Sequence, residues 1–173
     1  MRLMNLALLV IDMQNEFFAE GNPEKPSLHA AVEYINAAIA LFRKASAPVI
    51  IVSDIEEPTR IPGSPSFGLH ESITAEPGDL RIDKRAGNAF WETDLDAQLR
   101  ARSIDMLILS GYCAEFCVLN TFRGARERGW PAAILKNGIA SAHKDRIRLV
   151  EDICDVISYG ALEGWMGLLN RKP

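Results

Sequence analysis

Four residues stand where their type and spacing allow chemistry. Asp12 follows the apolar run Leu6 to Ile11, Asp54 follows Val49 to Val52, Lys84 follows the short segment LRID, and Cys117 comes after the turn SGYCAEF, where a helix can begin. A cysteine at a helix start faces backbone N–H groups and the positive end of the helix dipole, both of which favour thiolate over thiol. Cys117 is therefore a candidate nucleophile; the competing reading is a small residue that packs its helix, since free cysteine is often core. Asp12 after six apolar residues is costly to leave ionised alone, so it is either a paired base or a capping carboxylate. Lys84, taken by itself, reads as a surface lysine, and Cys154 reads as core. No Cys–His dyad is expected, because His29, His70 and His143 lie far apart and at no evident strand end. Cys113 and Cys117 lack zinc-ribbon spacing, which argues against a structural metal. The turn DMQNEFF has no glycine-rich phosphate cradle, which argues against a dinucleotide.

The elements that must position these residues follow from hydrophobic spacing. Leu6–Ile11, Val49–Val52, Met106–Leu109, Ala132–Leu135 and Val156–Ile157 are short apolar runs of the kind buried parallel strands show. Leu28, Val32, Ile35, Ile39 and Phe42 fall on one helical face and predict a helix between the first two strands. Thr93 followed by Asp96 predicts a capping box ahead of Leu95 and Leu99. The helix holding Cys117, Val118, Thr121 and Ala125 is expected to end at Gly129 and Pro131. Further helices are expected over 141–153 and 160–170. Strand and helix alternating in this way predict an α/β doubly wound sheet with right-handed crossovers. In such sheets ligands bind beyond the carboxyl ends of the strands, where Asp12, Asp54, Lys84 and Cys117 fall. The segment 56–78, with Pro58, Pro62, Gly63, Pro65, Pro77 and Gly78, predicts a long irregular loop that helps to shape a site.

Composition narrows the class. At 173 residues, with 48% hydrophobic and 24% charged, one domain spanning 1–173 is expected. A net charge of −4 without a basic run argues against a phosphate-tracking nucleic-acid surface. The opening MRLMNLALLVIDMQ reads as a buried strand rather than a leader, and no segment reaches the ~18 apolar residues of a membrane span. A cytoplasmic location is the default expectation, and three cysteines, an odd number, fit a reducing compartment.

Taken together, IDMQNEF at 11–17, DKRAGNAFWETDLDAQL at 83–99 and LSGYCAEFCVLNTFRGARERG at 109–129 resemble the isochorismatase-like cysteine hydrolase family in order and spacing. The resemblance implies a mainly parallel sheet of about six strands in the order 3-2-1-4-5-6 with helices on both faces. It also implies cleavage of a C–N bond in a small amide through a thioester, with Asp12 as acidic base, Lys84 as the charge that steadies the thiolate, and Cys117 as nucleophile. By the same resemblance the Tyr112–Cys113 peptide is cis, and the N–H groups of Cys113 and Cys117 form an oxyanion hole. Phe17, Phe90 and Tyr112 are the implied substrate contacts, with Trp91 and Phe116 as further aromatics of the matched motifs.

No cofactor is implied. Nicotinamidase-like relatives hold a metal through Asp-x-His and a later His; Asp54-Ile55-Glu56 lacks the first His, so no metal is expected, although Asp54, Glu56 and His70 remain as possible ligands. Ala114 and Asn137 depart from the family's usual Thr and Asp. The expected partners are a small amide substrate and further copies of the chain in a dimer or tetramer, with no nucleic acid and no membrane. Two other readings are weighed: a vinyl ether hydrolase, against which the retained Cys117 argues, and a non-catalytic binding or oligomerisation module, against which an intact Asp12, Lys84 and Cys117 argue.

Overall fold

The computed structural model of the protein describes residues 4–169. Six parallel strands form one sheet: β1 (Leu6–Ile11), β2 (Val49–Asp54), β3 (Leu80–Lys84), β4 (Met106–Tyr112), β5 (Ala132–Ala140) and β6 (Val156–Ile157). They lie in the order β3-β2-β1-β4-β5-β6, the doubly wound order expected from the sequence. The helices among the described residues are α1 (Lys25–Lys44), α2 (Leu95–Ala101), α3 (Leu119–Glu127), α4 (Lys144–Ile153) and α5 (Tyr159–Leu169). Asn170, placed in the last helix by sequence, lies outside the described residues. None of these helices is long and apolar enough to cross a membrane.

Alternation along the strands divides the core into two layers. Ala7, Leu9 and Ile11 of β1 face α2, α3 and α4, packing with Leu99, Phe122 and Val150. Leu6, Leu8 and Val10 face α1 and α5, packing with Ile35, Phe42 and Leu162. The α1 stripe is the one read from spacing, with Ala31 and Ala38 added and Val32 only half-buried at its margin. Each large side chain on that stripe contributes about 1.5–3 kcal/mol by leaving water. Pro26 in the first turn of α1 and Arg43 and Lys44 in the last suit the ends of the helix dipole.

The capping box does not form. The Thr93 hydroxyl accepts from the Leu95 N–H at 3.3 Å but gives its proton to the Ala89 carbonyl. Asp96 turns away to bind Arg100 and the Trp130 indole N–H. A carboxylate offered a cation four residues on and a buried indole donor gains more there than at a terminal backbone N–H.

Between β2 and β3 the long loop is irregular but anchored. Asn36 and Arg43 on the outer side of α1 bind the backbone at Ser72 and Thr74, and Arg43 also pairs with Asp79. Gln14, fully buried, clamps the site end of the loop: its amide donates to the carbonyls of Asp54 and Phe67 and accepts from the Asp54 N–H.

Candidate active site

Three stretches of chain meet at the carboxyl edge of β1. The chain leaves β1 through Asp12, whose N–H donates to the Val52 carbonyl of β2 and whose φ of +51° is a left-handed conformation uncommon outside glycine, asparagine and aspartate. Backbone held this way concentrates at functional sites. On the other side β4 comes so close that a Cβ on Gly111 would lie 2.0 Å from the Ile11 carbonyl oxygen; with φ at +112°, only glycine fits. After the cis Tyr112–Cys113 peptide the chain makes a π-helical turn, Ala114–Val118, that runs directly into α3. The N–H groups of Phe116 and Val118 both donate to the Cys113 carbonyl, and Cys117 lies between them.

Lys84 ends β3, in register with Asp54 of β2. β3 lies two strand spacings from β1, about 10 Å at ~4.8 Å per strand, and the Lys84 and Asp12 side chains extend toward each other to close that gap. The ammonium sits 2.8 Å from Asp12 Oδ2, 2.7 Å from Asp54 Oδ1 and 3.4 Å from Cys117 Sγ. Lys84 and Asp12 are each 1% exposed, and a cation so buried persists only with close carboxylate partners.

Burial pushes the Asp12 carboxyl up to about 6, against the opposing pull of Lys84 and the Cys117 thiol. Burial also works against the charge on Lys84, but the Asp12 carboxylate and Cys117 outweigh it and hold the ammonium above its ordinary range. Burial and the adjacent Asp12 charge push the Cys117 thiol up to about 12, with Lys84 opposing. Burial and the neighbouring carboxylate thus work against the thiolate that a helix start favours. At neutral pH the cluster rests as Asp12 carboxylate, Lys84 ammonium and Cys117 thiol. Asp12 Oδ2 is taken by Lys84, while Oδ1 is buried without a hydrogen-bond partner.

Behind Asp54 lies a residue the sequence did not single out. Arg60, from the long loop, donates through Nη2 to Asp54 Oδ2 and Glu56 Oε2 and through Nη1 to Glu16 Oε2. Asp54, read only as a strand-end residue or a possible metal ligand, joins this cation to Lys84. His70 stacks on Phe18 with centroids 3.8 Å apart and bonds Ser72, so Asp54, Glu56 and His70 do not converge on one point. With Arg60 standing between the carboxylates, no set of three such side chains among the described residues is placed to hold a metal ion.

Of the aromatics, Phe17 and Tyr112 meet with centroids 4.5 Å apart, and Arg60 lies over Phe17 at 4.7 Å. Phe90 sinks into the core beneath Arg128, at 5.3 Å, whereas Trp91 and Phe116 are each 57% exposed. The Cys113 thiol donates to Glu115, which also binds Ser141 and Arg146; burial and that carboxylate push it up to about 12. Cys113 therefore keeps its thiol proton. Ala114 is buried, and Asn137 occupies an exposed left-handed position, φ +63°, within β5. Cys154 is half-buried against the core. A cavity of about 560 Å³ opens at the other end of the strands, where among the described residues Arg102 is the one ionisable residue lining it.

The isochorismatase domain model matches residues 6–149. The uncharacterized isochorismatase family protein YddQ of Bacillus subtilis is 31% identical over 147 residues, 80% of this chain and 79% of its own length. Ureidoacrylate amidohydrolase RutB of Methylobacterium radiotolerans is 24% identical, with 96% of this chain and 81% of RutB covered. Among solved structures, N-carbamoylsarcosine amidase from Thermoplasma acidophilum superposes with a TM-score of 0.79 at 26% identity, covering 90% of this chain and 97% of that one.

Proposed function

This chain belongs to the isochorismatase family, and from that premise we propose that it hydrolyses a C–N bond of a small amide or ureido compound through a thioester on Cys117. The observation that carries the reading is the single buried ammonium of Lys84 in contact with both the Asp12 carboxylate and the Cys117 sulfur. Two similar proteins bear the names of amide hydrolases, one for a ureido and one for a carbamoyl compound. Vinyl ether hydrolysis, which needs no sulfur, gives the Lys84–Cys117 contact no task.

With the thiol near 12 and the carboxyl near 6, a free thiolate is scarce at neutral pH, so the proton leaves sulfur as the C–S bond forms. Cys117 attacks the carbonyl carbon, Asp12 Oδ1 takes the thiol proton, and the N–H groups of Cys113 and Cys117 receive the oxyanion. Lys84 keeps the carboxylate aimed and offsets charge growing on sulfur. Collapse breaks the C–N bond, and the leaving nitrogen takes the proton from Asp12. Water then attacks the thioester, its proton passes to Asp12, and collapse expels the Cys117 sulfur, which recovers that proton. Phe17 and Tyr112 wall the planar group being cleaved.

A panel of small amides and ureido acids screened for ammonia release tests this reading. On any amide turned over, kcat/KM is expected to rise with pH through an apparent pKa of about 6, because Asp12 must be unprotonated to act as base, and to fall about tenfold per pH unit below it. Alkylation of Cys117 by iodoacetamide follows the same limb, since the first proton lost from the Asp12–Cys117 pair creates the species in which sulfur can pass its proton on. A rate independent of pH from 5 to 8 would remove Asp12 from this role.

A further inference from the structure

Arg60 belongs to the long proline-rich loop, yet it is 3% exposed. Burying a guanidinium requires that its donors be paired, and here four of the five N–H bonds have acceptors. Nε donates to the Asp54 carbonyl at 3.1 Å, Nη2 to the Asp54 and Glu56 carboxylates at 2.6 and 2.9 Å, and Nη1 to Glu16 at 2.6 Å. The backbones of Glu56 and Arg60 bond each other in both directions, at 2.9 and 2.7 Å, which fixes where the side chain starts. The two Asp54 oxygens are divided between cations, Oδ1 to Lys84 and Oδ2 to Arg60.

We infer that Arg60 is the built-in counter-cation of the Glu16, Asp54 and Glu56 carboxylates and a positioning residue that, through Asp54, keeps the Lys84 ammonium shared between Asp12 and Cys117. Three carboxylates drawn together without such a charge form the oxygen-rich setting that suits a hard divalent ion. The guanidinium occupies that place from within the chain. Its effect on rate rests on the function proposed above; its place among the carboxylates does not.

The groups facing Asp12 are Lys84 from β3, Asp54 from β2 and Cys117 from the π-helical turn, while Asp54 faces Lys84 and Arg60. With Arg60 replaced by a neutral side chain, the full Asp54 charge falls on Lys84 and draws it from Asp12. Asp12 then holds its proton more tightly, and its acid limb moves up.

Arg60→Met and Arg60→Lys in the full chain test the inference. R60M is expected to raise the inflection of Cys117 alkylation by about half a pH unit or more and to lower kcat about tenfold, whereas R60K keeps the inflection near that of the unaltered chain. By calorimetry R60M is expected to bind Mn2+ with a Kd of about 0.1–1 mM, the range of weak oxygen-ligand sites, while the unaltered chain and R60K bind none at that level. An unshifted inflection in R60M would reduce Arg60 to a loop fastener and overturn the inference. So would Mn2+ binding to the unaltered chain as tight as to R60M. Should R60M fail to fold by circular dichroism, the Mn2+ titration of the unaltered chain decides: no binding upholds the filled cation place, and binding below about 1 mM overturns it. An unaltered chain that turned over no amide would count against the proposed reaction but leave the calorimetry intact.

Discussion

Replacing Cys117 with alanine is expected to lower kcat on any amide turned over by about 10⁴-fold or more, because a nucleophile whose attack defines the first step has no substitute in the site. The loss is chemical, not structural. Cys117 is only partly buried and its Sγ takes one long contact from Lys84, so the variant's stability should lie within about 1 kcal/mol of the unaltered chain. Cys113→Ala is the control: the thiol that points at Glu115 is lost, while the backbone N–H assigned to the oxyanion stays, so most of the rate should persist. Steady-state ammonia release with thermal unfolding on both variants separates these outcomes. A Cys117→Ala enzyme as fast as the unaltered one would end the proposal of a sulfur nucleophile.

Lys84→Met should produce the largest change in stability. The substitution leaves Asp12 buried with no cation and facing Asp54, and breaking a buried ion pair from one side costs about 3–5 kcal/mol. The sign of the pH dependence follows. Without the ammonium, the Asp12 carboxyl rises further above 6, and a carboxyl raised by folding contributes stability at low pH that is lost as pH rises through its folded value. The deficit should therefore be small near pH 4, where Asp12 is protonated in both chains, and full at pH 8. At that pH it should lower the melting temperature by about 10 °C or more. Amide hydrolysis at pH 7 should fall by at least about 100-fold, since the base is then largely protonated and the growing charge on sulfur unmatched. Urea titrations at pH 4 and 8 check the stability prediction; equal deficits at both would show that the Lys84–Asp12 charge pair is not their source.

Much of the fold was legible because parallel strands buried on both faces leave an unmistakable apolar signature. The runs at Leu6, Val49, Met106 and Ala132 each became a strand, although three of them extend further than the run itself. β2 and β4 continue through Asp54 and through Ser110 to Tyr112, where polar atoms find partners at the strand ends. β5 continues past exposed Lys136 and Asn137, where its register against β4 shifts. Pairing can tolerate such an irregularity, but a hydrophobic pattern cannot announce it. The order of the strands was not in the periodicity at all and came from the resemblance of three motifs.

The candidate site was legible in part for a similar reason. Asp12 and Cys117 follow strands that the apolar runs mark, whereas Lys84 follows the short LRID segment, which has no such run. Arg60 was not legible, because its partners Glu16, Asp54 and Glu56 come together only when the long loop folds back over β2, and a proline-rich segment has no period to betray a buried cation. Gln14 escaped notice in the same way: a polar residue after a strand reads as a turn, and only the returning loop turns it into a clamp. The high affinity of the Cys117 thiol for its proton is likewise a property of burial and of Asp12, neither of which a helix-start argument can weigh.

Acid quenching during turnover, followed by peptide mass spectrometry, tests the thioester most directly, with hydroxylamine in a parallel reaction to intercept it. The expected result is an acyl group of the substrate's mass on the peptide carrying Cys117, together with hydroxamate formed at the expense of the carboxylic acid. The contradicting result is an enzyme that turns over while its sulfur stays bare and no hydroxamate appears, or one that carries the acyl group on Cys113 or Cys154.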